Sequence, residues 1–242
     1  MVRFPSKTNA LQNLRSAGVE IGTVIDVGVH EQTPELRAAF PDARHILFEP
    51  ADDFFPAIRR NYAGLDYVLA PVAVAETDGE GHLHKRRIDG GEVSHSCLVD
   101  PAAVDESTVV PTRRLDSFMA ERDDPRPYLL KIDVDGFESV IIRSAAGMWA
   151  DVDVVIVEVT RDTLAERLGL LVAQGFTIYD IVDSCYYANL FHQADLVMVS
   201  PRVMGNPHMR ALEDRPFTWS DWIPIASFES AVQAAAEIAA AA

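Results

Sequence analysis

Four apolar runs in this 242-residue chain carry an acid at or near their ends. They are Thr23-Val24-Ile25-Asp26-Val27-Gly28, His45-Ile46-Leu47-Phe48-Glu49, Tyr128-Leu129-Leu130-Lys131-Ile132-Asp133 and Val154-Val155-Ile156-Val157-Glu158-Val159. A carboxylate accepts hydrogen bonds from ribose hydroxyls, and a glycine such as Gly28 lets backbone approach a ligand, so the first two runs imply a nucleoside-containing ligand. Asp133 and Asp135 are spaced as neighbours on one side of an extended chain; one of them can act as a base or metal ligand, or both can simply bind loop amides. Lys131 shares their parity inside a buried run, which implies an ion pair with a neighbouring acid. His30, in the turn after Gly28, is a candidate general base. Glu138 is either a first-turn acid favoured by the helix dipole or a substrate contact. Glu158 either faces the site or is a satisfied polar strand end. His82 and His84 have strand spacing, but no acid accompanies them at ligand spacing, so no metal is expected.

The elements that must position these groups alternate. The β-branched and aromatic runs read as strands buried on both faces of a parallel sheet. Between the first two, residues 33–40 read as a helix, with Thr33 at the cap, Pro34 in the first turn and Glu35 just after. Residues 11–17 and 53–62 read as helices, and 67–75 as a third strand that Pro71 must distort or break. Within 76–112, glycines at 79, 81, 90 and 91 bracket an alternating segment, 82–88, suggestive of a hairpin. Residues 94–111 read as a loop lying over the active site. Then follow a helix at 114–121, a strand at 128–134, helices at 137–146 and 163–174 around the strand at 154–159, and closing strands at 176–182 and 194–200. The 186–193 link is too short for a parallel crossover, so the last two strands form an antiparallel hairpin. The tail, 227–242, is Ala-rich and helix-prone. Such an α/β sheet binds its ligand at the carboxyl ends of the strands, where their order reverses.

A net charge of −16 argues against a nucleic-acid partner, because phosphate contacts need clustered Lys and Arg. The one dense basic stretch, His84-Lys85-Arg86-Arg87, suits a solvated edge strand. Cys97 and Cys185 have neither metal nor disulfide-framework spacing and read as free thiols of a reducing compartment. Residues 1–22 have no unbroken apolar core, and no stretch reaches membrane-spanning length without charges. A cytoplasmic location with no membrane partner is expected.

Four segments resemble the FkbM family of S-adenosylmethionine-dependent methyltransferases. They are Ile25-Asp26-Val27-Gly28-Val29 with Thr33-Pro34-Glu35-Leu36, then Phe48-Glu49-Pro50, then Leu115-Asp116-Ser117-Phe118 leading into Leu130-Lys131-Ile132-Asp133-Val134-Asp135-Gly136-Phe137-Glu138, and finally Val155-Ile156-Val157-Glu158-Val159. The third is the most specific; the first two are generic to the fold. The resemblance implies a class I methyltransferase Rossmann-like fold: a mostly parallel seven-stranded sheet, a C-terminal antiparallel hairpin, and helices on both faces. It implies one methyltransferase domain over 1–242, with an N-terminal helical extension (1–22), an insert near the substrate site (76–112) and a C-terminal extension (201–242). It also implies S-adenosylmethionine as cofactor. Asp26 and Gly28 would then border its methionine part, Glu49 would hold the ribose hydroxyls, and residues 73–76, Ala73 first, would flank the adenine. Asp133 would contact the cofactor ammonium or the substrate.

The implied reaction is O-methylation of a hydroxyl on a sugar, glycan or secondary metabolite. The partner is then that small-molecule or glycan acceptor, and a homo-oligomer stays open. Such transfer needs in-line geometry, and a hydroxyl needs help losing its proton; Asp133, Asp135 and His30 are the candidate catalytic residues. Two departures stand out: Gln32 where the family usually has a second glycine, and Asp135 where it has Glu. A side chain at 32 would crowd the cofactor carboxylate or supply a replacement contact. It therefore keeps open a catalytically silent Rossmann-like binding module. A nucleotide-dependent oxidoreductase is the weaker alternative, since the first turn lacks the Gly-x-Gly-x-x-Gly spacing that pyrophosphate needs.

Overall fold

Each apolar run forms a strand, and the computed structural model describes them within residues 5–87, 93–209 and 218–219. In chain order the strands are β1 (Thr23–Val27), β2 (Arg44–Phe48), β3 (Tyr67–Ala70), β4 (Ala73–Val74), β5 (Gly79–Arg87), β6 (Val93–Val99), β7 (Thr108–Arg113), β8 (Tyr128–Ile132), β9 (Val152–Thr160), β10 (Thr177–Tyr187) and β11 (Leu190–Val199). The helices are α1 (Lys7–Ser16), α2 (Pro34–Ala39), α3 (Phe55–Asn61), α4 (Leu115–Ala120), α5 (Glu138–Ser144), α6 (Leu164–Ala173) and α7 (Pro201–Met204). The main sheet runs β3-β2-β1-β8-β9-β11-β10. β1, β2, β3, β8 and β9 pair in parallel, while β11 runs antiparallel to both β9 and β10. The order reverses between β1 and β8, which puts the ligand-binding crevice at their carboxyl ends.

Both sheet faces are covered, as the unbroken burial of β1 and β8 requires. Leu115 and Met119 of α4, Ile141 of α5 and Leu171 of α6 pack with Ile25, Leu130 and Val157. Leu11 and Leu14 of α1, Leu36 of α2 and Val203 of α7 pack with Val24, Leu129 and Val197 on the opposite face. Ser6 caps α1 by accepting from the amide of Asn9 (3.3 Å), so this helix starts four residues before the amphipathic stretch suggested. Lys7 Nζ then reaches Asp195 Oδ2 at 2.7 Å and ties α1 to the closing hairpin.

Pro71 divides the expected third strand. Lacking an N–H, it ends β3 at Ala70, and Ala73–Val74 joins a second sheet of order β4-β7-β5-β6. Residues 94–111, expected to be a loop, are a correction: they contain most of β6 and most of β7. β4 pairs only with Thr112 and Arg113, so Pro111 lies where that side of β7 is open. The closing hairpin is also tighter than expected. Its strands run to Tyr187 and from Leu190 and are joined by Ala188–Asn189, both left-handed (φ 49° and 64°), as a two-residue hairpin turn requires. The expected helix at 227–242 lies outside the described residues.

Candidate active site

The turn after β1 is folded by backbone contacts that only glycine permits. Gly28 sits at φ +81°, and a Cβ there would meet the carbonyl oxygen of Asp133 at 1.9 Å. The amides of Gly28 and Val29 both donate to the Phe48 carbonyl (3.1 and 3.3 Å), which ties the turn to the end of β2. His30 follows in a left-handed conformation, φ 53°. Its amide donates to Glu49 Oε2 (2.9 Å), while the Ala51 amide donates to Glu49 Oε1 (2.8 Å). Glu49 is only 3 % exposed. Burial pushes its carboxyl up to about 7, against the pull of those two amides and of Lys131.

Glu49 stands between two connected parts of one cleft. On one side is a mainly apolar slot. Val72, Ala73 and Val74 form one wall, Val134 and Phe137 another, and Ser96, Cys97 and Leu98 of β6 close it. On the other side is a polar lobe holding His30, Asp133, Asp135, Glu158 and Gln193, with His95 from β6. Gly28, Glu49, Ser96 and Val134 border both parts. Lys85 of β5 pins the insert beside this cleft through Asp52 Oδ1 (2.7 Å) and Asp53, just beyond Glu49 in sequence.

Under the lobe lies a charged support. Lys131 Nζ donates to the Gly28 carbonyl (2.7 Å) and stands 3.2 Å from Asp26 Oδ1 and 3.5 Å from Asp133 Oδ2. Burial works against the Lys131 charge, but Asp26 and Asp133 outweigh it and hold the ammonium protonated. The ion pair expected of Lys131 is present. Asp26 is fully buried, with neither oxygen in an aligned hydrogen bond among the described residues. Its position is beneath the turn rather than on the cleft, so it reaches the site through Lys131 and Gly28.

The segment after β8 is held from behind. Asp135 and Gly136 are left-handed (φ 57° and 122°), and Asp135 projects into solvent. Glu138 is fully buried: Oε1 accepts from the amides of Val134 (3.1 Å) and Gly136 (3.2 Å), and its carboxylate pairs with Arg167 of α6. Glu138 therefore shapes the Asp133–Asp135 loop and is closed off from any substrate. Arg167 Nη1 also donates to the Glu158 carbonyl (2.6 Å), locking the end of β9 to the same support. The Glu158 side chain points into the lobe and accepts from Gln193 Nε2 at 2.7 Å. Burial, then the nearby Asp133, Glu138, Asp195 and Asp135, push it up to about 7.

Of the sequence candidates, Gly28, Glu49, Ala73, His30, Asp133 and Asp135 thus border one cleft, and Asp26 lies beneath it. Gln32 does not intrude: its exposed side chain is held by Arg37 of α2, turned away from the slot. His82 and His84 engage Ser107 Oγ and the Glu106 carbonyl instead of the cleft. Among the described residues no group of three metal-ligating side chains is assembled, and Cys97 and Cys185 are free thiols. Sequence reasoning did not find Gln193, Ser96 or Leu98. Gln193 meets Glu158 through antiparallel register between strands more than thirty residues apart, which no local spacing reveals.

A strand order reversing beside β1, an antiparallel seventh strand and a cleft at the carboxyl edge define a class I methyltransferase fold. The methyltransferase FkbM domain model matches residues 19–185, and the chain belongs to that family. Among solved structures the chain is similar to precorrin-6y C5,15-methyltransferase from Geobacter metallireducens (12 % identity, 80 % of this chain and 86 % of that one, TM-score 0.45). It is also similar to a ribosomal protein L11 methylase from Lactobacillus delbrueckii subsp. bulgaricus (14 %, 79 % and 76 %, 0.44) and to the 23S rRNA methyltransferase ErmE (11 %, 87 % and 73 %, 0.46). No curated protein matches the chain. Among the described residues no helix is long and apolar enough to cross a membrane.

Proposed function

We propose that the chain binds S-adenosylmethionine in this cleft and methylates a hydroxyl of a sugar, glycan or secondary metabolite. The observation that carries the reading is Glu49, a buried carboxylate at the junction of an apolar slot and a polar lobe. Two amides occupy part of its acceptor capacity, and a carboxylate retains sites for the two ribose hydroxyls. Val72, Ala73 and Leu98 offer apolar surface for an adenine ring. In this reading Asp133 would hold the cofactor ammonium, and the lobe that it lines with Asp135 and His30 would receive the acceptor. When bound, the cofactor supplies an electrophilic methyl group; the chain supplies orientation and charge. Gln32, exposed and held by Arg37, lines neither part of the cleft, which supports the cofactor-binding reading over a cofactor-free module.

The net charge of −16 and the acidic lobe favour a neutral or cationic acceptor over RNA. We read residues 1–242 as one cytoplasmic methyltransferase domain, with acceptor choice lying in the 76–112 insert and the segment after Pro201. The test is transfer of radiolabelled methyl from S-adenosylmethionine to a panel of sugars, glycans and hydroxylated secondary metabolites, with ribosomal and transfer RNA as controls. Label in a hydroxylated small molecule and none in RNA is expected; label in RNA alone would overturn the acceptor assignment.

A further inference from the structure

We propose that Glu158, oriented by Gln193, is the group that receives the proton of the acceptor hydroxyl. This rests on the reading of the site as one that methylates oxygen. Glu158 lies near the end of β9, two strands from β1 on the side away from Glu49, and lines the lobe that opens from the slot across Gly28 and Val134. It is held at both ends: Gln193 Nε2 donates to its carboxyl, and Arg167 Nη1 donates to its main-chain carbonyl.

The other acid–base candidates in the lobe are engaged elsewhere or stand exposed, His95 of β6 among the exposed ones. Asp133 Oδ2 lies 3.5 Å from Lys131 Nζ, the cation it shares with Asp26. Asp135 stands in solvent. The His30 ring packs on Phe54, centroids 3.8 Å apart, and its amide serves Glu49. Glu158 faces mainly other acids: Asp133 and Asp135 after β8, Glu138 from α5 and Asp195 from β11. The cations nearby are spoken for, Arg167 by Glu138 and Lys7 by Asp195. Burial and these acids place Glu158 near 7, where a carboxyl both accepts and releases a proton at neutral pH. In the step, the hydroxyl proton passes to Glu158 while an oxygen electron pair forms the bond to the methyl carbon. The sulfur–carbon bond breaks with its electron pair staying on sulfur. The proton then leaves Glu158 for bulk water through the open lobe, which resets the carboxylate.

The experiment is a carboxyl carbon-13 titration of the full chain, free and loaded with S-adenosylhomocysteine, combined with carbodiimide labelling mapped by mass spectrometry. One glutamate other than Glu49 should titrate near 7 in both forms and disappear in Glu158→Gln. The same carboxyl should take the label in the loaded protein, in which Glu49 is shielded. Gln193→Leu, which leaves Glu158 in place, should move the titration upward, because it removes a donor to the ionised form. An ordinary glutamate titration at Glu158, or a carboxyl that the reagent cannot reach in the loaded protein, overturns the proposal. Calorimetry of Glu158→Gln should return a dissociation constant for S-adenosylhomocysteine within about twofold of wild type. Absence of S-adenosylhomocysteine binding to wild type would instead sink the methyl-transfer reading, with the titration of the free protein still reporting on Glu158.

Discussion

Glu49 is where cofactor binding, protonation and folding meet. An acid raised from its ordinary range to about 7 keeps its proton in the folded state at pH values where the unfolded chain has lost it. The folded state then binds more protons, so this residue's contribution to stability declines as pH rises from the ordinary carboxylate range through about 7, and is flat above. Glu49→Gln removes that slope. Relative to wild type, the variant should gain up to about 3 kcal/mol between acid and mildly alkaline pH, read by urea denaturation across the series. The slope is the readout, because the lost acceptor for His30 or Ala51 adds a pH-independent offset. Ribose hydroxyls donate to the ionised carboxylate. Affinity for S-adenosylhomocysteine should therefore fall toward about tenfold per pH unit below 7 in wild type. In Glu49→Gln it should be more than about tenfold weaker at alkaline pH, and level. A wild-type profile as level as the variant's would remove the ribose assignment. Gly28→Ala tests the turn itself. The Cβ would collide with the Asp133 carbonyl at a left-handed φ, so a loss of at least about 2 kcal/mol is expected in thermal or urea unfolding.

Among the elements, the Asp133–Asp135 loop owes its shape to a buried pair that never touches the cleft. Glu138→Gln breaks the contact with Arg167 and strands a buried guanidinium, which costs about 3–5 kcal/mol. Hydrogen exchange at the amides of Val134 and Gly136 should quicken in this variant beyond the change at β1. Equal acceleration everywhere would mean that the pair supports global stability only. The Lys85 contacts to Asp52 and Asp53 are exposed and should contribute less than about 1 kcal/mol to unfolding. Lys85→Ala should nonetheless speed exchange in β5 and β6 and weaken S-adenosylhomocysteine binding, because β6 supplies Ser96, Cys97 and Leu98 to the slot. These elements differ in how legible they were. The buried strands announced themselves because each is a continuous apolar run, and Pro71 correctly marked a break. β7 was hidden because Pro111 and polar neighbours mimic a loop, and what makes it a strand is pairing with β5, a non-local fact. Ala188–Asn189 carries no glycine, so nothing local signalled so tight a turn.

At the scale of the molecule, the order β3-β2-β1-β8-β9-β11-β10 gathers residues from positions 28 to 193 at one edge. The acids at strand ends made the location of that edge readable in advance, since parallel strands all present their carboxyl ends to one side. The direction of each side chain was not readable. Asp26 and Glu49 look equivalent as acids near strand ends, yet one is sealed beneath the turn and the other opens on the slot. Gln32 could by type either crowd a ligand or contact it, and its direction is set by Arg37 on α2. The central claim, that this edge holds S-adenosylmethionine, is tested most directly by titration calorimetry of the purified chain with S-adenosylmethionine and S-adenosylhomocysteine, with NAD as control. Micromolar binding of the first two at one site per chain, with no heat from NAD, is the predicted result. Heat from NAD alone, or from none of the three, would contradict it.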